Sequence, residues 1–373
     1  MRIGIMLRTL DEKFGIGMYT RYMIDALMKL DRNNQYILFY KNQENLGKYA
    51  NYPNVEERFV KASNKVIWDQ VAIPLAYEKA ELDVLFHTKF SVPLMVKCKT
   101  VMRLAGASWF VHPELYPNKF DLAYIKMSMP LYCRKADAII ANSNLTKNDF
   151  VNILHVPSEK ITTIYNGVNP IFRPIKDEEL LNKVKRKYNL PDSFILTVGR
   201  YDPRKNFCTI FKAYKKCRKS SPLKLVAVGK DSWKYKKECH IAEDGFENDV
   251  IFPGYVEHDD LPAFYNLAEA FIFPSVYEEF GNPLVESMAC GCPIVGANTG
   301  AIPEITDGAA ALTDYLDADK IAEYIGMIMH NDGFRQMLIE KGLERAKKFN
   351  YDTIAKEVLN VLEKAASGAN LKM

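Results

Sequence analysis

The chain has 373 residues, of which 48% are apolar, 12% aromatic and 26% charged, with a formal net charge of +4. That composition excludes a disordered or low-complexity chain, and the length suits two domains that can each bury a core without metal or disulfide staples. No apolar run approaches the roughly 18–20 residues of a membrane span, and so mild a charge gives nucleic acid no footing, so no nucleic-acid partner is expected.

The N-terminal apolar run is too short for a signal peptide and reads as a buried first strand over residues 2–7, which makes a cytoplasmic location the expectation. Residues 17–30 carry apolar side chains at helical spacing. Residues 36–40, 84–87, 100–104 and 138–141 read as strands. The alternation predicts a parallel sheet covered by helices on both faces. Across residues 156–174 the texture changes, because Pro157, Asn166-Gly167, Pro170 and Pro174 make a turn-rich passage of linker type.

The rhythm then restarts. Helices are expected at 176–188, 207–219, 319–329, 332–349 and 351–366, and strands at 194–198, 223–228, 250–252, 270–273 and 293–297. Two doubly wound α/β domains follow, residues 1–170 and 171–350, with a cleft where they face each other. No internal repeat is visible.

Residues 1–170 hold 22 Lys or Arg against 16 Asp or Glu, and the remainder holds 28 against 30. A basic first half suits an anionic surface such as phospholipid headgroups, though an ordinary solvated face is the readier explanation. Seven scattered cysteines fit a reducing compartment. Cys290 and Cys292 are the one close pair, and no second pair stands at zinc spacing, so they read as packing residues and no metal is expected.

Open parallel sheets bind ligands at the carboxyl ends of their strands. Gly15-Ile16-Gly17 lies between the first strand and the first helix, as a tight turn or a phosphate cradle. After the strand 194–198 come Arg200 and Lys205, a fork-shaped and a compact cation that together suit a diphosphate. After the strand 270–273 come Glu278, Phe280, Gly281, Asn282, Pro283, Leu284 and Glu286. Pro283 suits the first turn of a helix, and Glu286 is then expected in that turn. Two carboxylates beside amide donors make a polyol and phosphate site. Asn298-Thr299-Gly300 follows the next strand and is expected to wall the same pocket.

The run from Glu278 to Glu286 resembles the two-glutamate motif of family 4 glycosyltransferases, and Ala289-Cys290-Gly291-Cys292-Pro293 continues it. Arg200, Lys205, Asn166-Gly167-Val168, Asn142-Ser143 and the glycine loop match in the family's order. The resemblance implies a GT-B fold of two Rossmann-like domains, with the last helix, within 351–373, packing back on the N-terminal one. It implies that Arg200 and Lys205 bind the donor diphosphate, Glu286 the ribose, and Glu278 the donor sugar. Tyr255 and the amides around Phe280-Gly281 belong to the same donor site. Gly15 and Gly17 would lie near the transferred sugar. No cofactor or metal is implied. The donor would be a UDP- or GDP-sugar and the acceptor a glycan or lipid-linked glycan, with the enzyme in the cytoplasm or peripheral at the membrane's inner face.

Two positions depart from the pattern. Glu279 stands where the family usually has Gly, and Ala105 stands eight residues before Pro113-Glu114, where relatives carry a His. His87 and His112 are the candidate replacements. Retaining sugar transfer is the leading expectation. A protein that binds sugar nucleotide without efficient transfer is the alternative, and a GT-B epimerase or phosphorylase a weaker one. The two glutamates as a glycosidase pair fit less well beside a diphosphate-suited cation pair.

Overall fold

The computed structural model describes residues 1–12, 15–116, 118–218, 222–230, 234–241 and 245–369, with the side chain of residue 115 excepted. The chain divides into two units. One runs from Met1 to Gly167 and resumes at Asn350, and the other is Val168–Phe349.

The first unit holds β1 (Arg2–Met6), β2 (Gln35–Tyr40), β3 (Val55–Phe59), β4 (Val84–His87), β5 (Lys99–Leu104), β6 (Ala138–Ala141) and β7 (Ile161–Thr163), in the spatial order β3-β2-β1-β4-β5-β6-β7. The second holds β8 (Phe194–Val198), β9 (Lys224–Val228), β10 (Val250–Gly254), β11 (Ala270–Phe273), β12 (Ile294–Ala297) and β13 (Ala310–Thr313), in the order β10-β9-β8-β11-β12-β13. Every pairing is parallel. In each sheet the strand order reverses at the first strand, β1 or β8, and ligands collect beyond the carboxyl ends at such a reversal.

The central strands are buried on both faces, which is why they read as near-continuous apolar runs. The helices Ile16–Leu30 and Tyr351–Ser367 share a core with β1, to which they contribute Met23, Leu27, Val358 and Leu362. That shared core makes the last helix part of the first unit.

Three strands escape the sequence reading: β3, β7 and β13. All three are edge strands. An edge strand buries less of itself, so its apolar signal is weak, and Val55–Phe59 is largely polar for that reason. Ile161–Thr163 also shows that the turn-rich passage contains the last strand of the first sheet. The helices Lys119–Lys135 and Asn144–Leu154 were not expected either; the former carries Pro130 and little apolar bias to one face. Residue 219, expected at a helix end, and residues 370–373 lie outside the described residues.

One expectation about cysteine is corrected. Cys208, in the helix Phe207–Cys217, is disulfide-bonded to Cys239, 31 residues on. Two helical segments bring the sulfurs together, and no sequence spacing announced it. Cys290 and Cys292 are free and buried, as packing residues should be.

Candidate active site

In the second unit, three loops meet at the carboxyl edge of the sheet. The loop after β8 turns on Asp202, whose carboxylate accepts from the Arg204 amide at 3.0 Å and holds the Arg204 guanidinium at 2.7–3.2 Å. That turn, Pro203–Lys205, presents Lys205. Its ammonium donates to Glu278 Oε1 at 2.7 Å and stands 4.6 Å from the centre of the Phe273 ring at the end of β11. Arg200 is exposed on the same loop.

The loop after β11 carries Glu278 and is tied on both sides. The Val276 amide donates to the Arg204 carbonyl at 2.8 Å, and the Ala301 amide donates to the Glu278 carbonyl at 2.8 Å. The Thr299 hydroxyl donates to the Ser275 carbonyl at 2.9 Å. Gly300, at φ +57°, lies so close that a Cβ there would fall 2.7 Å from the Glu278 carbonyl oxygen. Only glycine fits this approach. The loop after β12 therefore supports the glutamate's backbone.

Gly281 precedes the helix Asn282–Cys290, in whose first turn Pro283 has no N–H and the Leu284 amide donates to the Gly281 carbonyl at 2.9 Å, so what this end offers an anion is the positive end of the helix dipole. Phe280 and Leu284 are buried, so their side chains face the core and not a ligand. Asn282 and Pro283 are partly exposed at the helix start. Tyr255 is exposed just beyond β10.

Glu286 is not where it was expected. The helix starts at Asn282, so Glu286 falls in its second turn, and no acidic residue occupies the first. Its carboxylate accepts from the Tyr265 hydroxyl at 3.0 Å. Burial pushes the Glu286 carboxyl up to about 7, against the opposing pull of that hydrogen bond. Tyr265, from the helix Leu261–Leu267, had no sequence signal, because it lies 21 residues from its partner.

In the first unit, Gly15 caps the helix Ile16–Leu30 at φ +53°. A Cβ on Gly17 would fall 1.7 Å from the Glu12 carbonyl oxygen, so close packing alone demands glycine there. Residues 13 and 14 of this loop lie outside the described residues. Ala105 follows β5, with its carbonyl accepting from Asn142 Nδ2 at 3.0 Å.

His87, at the end of β4, is fully buried, and burial pushes its pKa down to about 4. Its Nδ1 lies 2.8 Å from both the carbonyl and the hydroxyl oxygen of Ser91. The Ser91 hydroxyl donates to Asp69 at 2.7 Å, and Asp69 holds Arg8 through two bonds of 2.9 and 3.0 Å. With the serine proton given to Asp69, the proton on His87 belongs on Nδ1, and Nε2 keeps a buried lone pair without a partner among the described residues. Of this chain the sequence singled out His87 alone; Arg8, Asp69 and Ser91 were not legible, since bonded partners stand up to 61 residues apart. His112 instead meets Glu114 at 3.0 Å. Among the described residues no group of three His, Cys, Asp or Glu is placed to hold a metal.

Two family profiles match the chain. The one described as Glycosyltransferase Family 4 covers residues 15–171, and the one described as Glycosyl transferases group 1 covers residues 180–345. Among curated relatives, the O-antigen chain mannosyltransferase B of Escherichia coli is 28% identical over 74% of this chain and 74% of its own length. A Campylobacter jejuni N-acetylgalactosaminyltransferase, named for a diphospho-undecaprenol-linked acceptor, is 30% identical over 66% of this chain and 65% of its own. Among solved structures, a sucrose-phosphate synthase from Thermosynechococcus elongatus superposes with a TM-score of 0.78 at 18% identity, covering 99% of this chain and 100% of the other. Anabaena HepE, solved with UDP and glucose, gives 0.75 at 20% identity, covering 98% of this chain and 100% of the other.

Proposed function

The chain belongs to glycosyltransferase family 4 and has the GT-B fold, and we propose that it transfers a sugar from a nucleoside diphosphate sugar to a hydroxyl of a glycan or lipid-linked acceptor, with retention of anomeric configuration. The observation that carries this reading is the Lys205–Glu278 pair at the carboxyl edge of the second sheet, beside a helix N-terminus. A cation and a carboxylate held together there can divide one ligand between them, phosphate to the lysine and sugar hydroxyl to the glutamate.

In this reading Arg200, Lys205 and the positive end of the helix Asn282–Cys290 take up the charge of the departing diphosphate, so no metal is called on. Glu286 accepts hydrogen bonds from ribose hydroxyls, and Glu278 orients the donor sugar. Tyr255 completes the donor side. The bond from the anomeric carbon to the diphosphate oxygen breaks, and the acceptor oxygen bonds that carbon on the same face. The acceptor's proton passes to the departing phosphate oxygen. The protein contributes orientation and fixed charge.

The donor is a UDP- or GDP-sugar. The UDP and UDP-glucose complexes of Anabaena HepE support the UDP arm of that range. The acceptor class rests on the O-antigen and diphospho-undecaprenol names of two relatives. A thermal-shift screen against UDP-, GDP-, ADP- and dTDP-sugars tests the donor, because bound ligand raises stability with its concentration. Mass spectrometry of reactions with candidate acceptors then tests transfer.

A second reading rests on Ala105, which offers no titratable group where the family resemblance expects histidine. It makes the chain a sugar-nucleotide binder with impaired transfer. Donor binding with no product from any acceptor selects it.

A further inference from the structure

The loop after β8 that carries Arg200 and Lys205 is braced from one side by the segment that follows β9. Tyr235, which opens the short helix Tyr235–Glu238, is buried. Its hydroxyl accepts from the Asp202 amide at 3.0 Å and donates to the Asp202 carbonyl at 3.1 Å. Burial pushes the phenol up to about 12, so it keeps the proton it donates. Its ring lies 4.8 Å from that of Tyr201 and stacks on Phe207, with centres 4.4 Å apart and planes 7° from parallel. The Tyr201 amide donates to the Lys230 carbonyl at 2.9 Å. Asp202 caps the turn Pro203–Lys205, so Tyr235 holds the residue on which the Lys205 turn is built.

The disulfide fixes this brace. Cys208 directly follows Phe207, and Cys239 follows the helix that Tyr235 opens, so the crosslink ties the two flanks of the Phe207–Tyr235 stack together. Both cysteines are half-buried, within reach of a reductant. Cys208 is the second residue of the helix Phe207–Cys217, where the positive end of the helix dipole stabilises a thiolate. Exposed Lys236 and Lys237 precede Cys239 and favour the approach of an incoming thiolate. Partly exposed disulfides with a good leaving thiolate are the labile and regulatory ones.

We propose that Tyr235 is a positioning residue for the diphosphate-binding loop, and that thiol–disulfide exchange at Cys208–Cys239 locks and releases it, so that donor affinity follows the redox state of the chain. The proposal rests on the reading of Arg200 and Lys205 as diphosphate ligands. The exchange takes a dithiol as reductant. One of its thiolates attacks Cys239 Sγ, the Cys208–Cys239 bond breaks, and Cys208 leaves as a thiolate. The second thiolate of the reductant then attacks its own sulfur bonded to Cys239, and Cys239 leaves as a thiolate. The reductant ends as a disulfide, and the two protons it gave up pass to the two cysteines. With the bond open, only the Tyr235 ring and hydroxyl contacts hold the segment to the loop.

The test is calorimetric titration of UDP and of GDP into the full chain, oxidised with glutathione disulfide or reduced with dithiothreitol, with the thiols counted by alkylation and mass spectrometry. The reduced chain is expected to bind about fivefold or more weakly, and by linkage saturating nucleotide should protect the disulfide from dithiothreitol by the same factor. A crosslink with a structural role alone lowers the melting temperature and moves neither quantity. Cys208→Ser should bind as the reduced parent does and ignore dithiothreitol, whereas Cys98→Ser, in the first unit, should respond as the parent does. Tyr235→Phe keeps the ring and loses the Asp202 contacts. Oxidised, it should bind about fivefold more weakly than the parent, and reduction should weaken it by a smaller factor than it weakens the parent. Thermal unfolding checks that each form is folded at the titration temperature. Equal affinity in the two redox states overturns the proposal, as does a parent whose two thiols stay open to alkylation after oxidation. Hydrogen exchange of amides 200–206 in the same preparations separates the brace from the donor reading. Faster exchange on reduction, with no nucleotide bound in either state, sinks the diphosphate assignment and leaves the brace; unchanged exchange overturns the brace.

Discussion

Lys205 and Glu278, 73 residues apart in the chain, meet at 2.7 Å with only 20% and 15% of their side chains exposed. The pair brings the ends of two neighbouring strands, β8 and β11, into one small polar group. A lysine already paired with a carboxylate is held in place before any phosphate arrives, but at the cost of part of its attraction for that phosphate.

Lys205→Ala should weaken binding of UDP or GDP by about tenfold or more, since a charge-assisted contact contributes roughly 1.5–3 kcal/mol. Glu278→Gln should leave free nucleotide binding equal or tighter, because it releases the ammonium, while slowing transfer. Calorimetry with the nucleotide and single-turnover rates with the sugar nucleotide read the two effects separately. Weaker nucleotide binding in Glu278→Gln would remove the division of labour between the two side chains.

Glu286 sets a pH dependence. Burial lifts its carboxyl from the ordinary glutamate value of 4.5 to about 7, so between those values the folded chain binds a proton that the unfolded chain releases. Stability contributed by this group is therefore lost as pH rises through about 7. Glu286→Gln should melt higher than the parent at pH 8, and the gap should close towards pH 5. If the ionised carboxylate is what holds ribose hydroxyls, parent nucleotide affinity should rise across the same interval and the variant's should not. Melting curves and titrations over that range check both signs.

Ala105→His should raise the transfer rate by about tenfold or more, equivalent to roughly 1.4 kcal/mol of barrier, with little change in nucleotide affinity. The substitution lies in the first unit, whereas Arg200, Lys205 and Glu286 lie in the second. Single-turnover rates decide the matter. A histidine form no faster than the parent means either that the alignment on Pro113-Glu114 is wrong or that His87 fills the role, and His87→Ala with its own stability measured decides which.

The Cys208–Cys239 bond closes a loop of 31 residues. In the chain-entropy account such a closure stabilises by roughly 3–4 kcal/mol. Reductant, or Cys208→Ser, should lower the melting temperature, and alkylation followed by mass spectrometry should find both thiols blocked until reduction. Unchanged melting after verified reduction would show the crosslink to be energetically idle.

Much of the fold was open to reading from residues alone. β4, β6, β8 and β11 lie where their apolar runs end, because central strands of a parallel sheet are buried on both faces and leave no polar alternation to confuse. The edge strands β3, β7 and β13 were silent for the converse reason. Glycines and cations just past a strand marked the candidate loops, since parallel sheets expose their carboxyl ends to ligand.

What the sequence determined by itself was therefore local: where strands and helices fall, and which loops carry Arg200, Lys205, Glu278 and Glu286. What only the tertiary structure decided was pairing and environment. The meeting of Lys205 with Glu278, of Tyr265 with Glu286, and of Cys208 with Cys239 spans 21 to 73 residues. The line from Arg8 through Asp69 and Ser91 to His87 spans as much. The reason is the crossover connection. A parallel strand returns only after a helix, so side chains that share one end of the sheet are far apart in sequence, and no spacing rule records which of them will touch. Burial follows the same logic: Glu286 is an ordinary glutamate in the sequence, and its carboxyl is lifted to about 7 only because the fold buries it beside Tyr265.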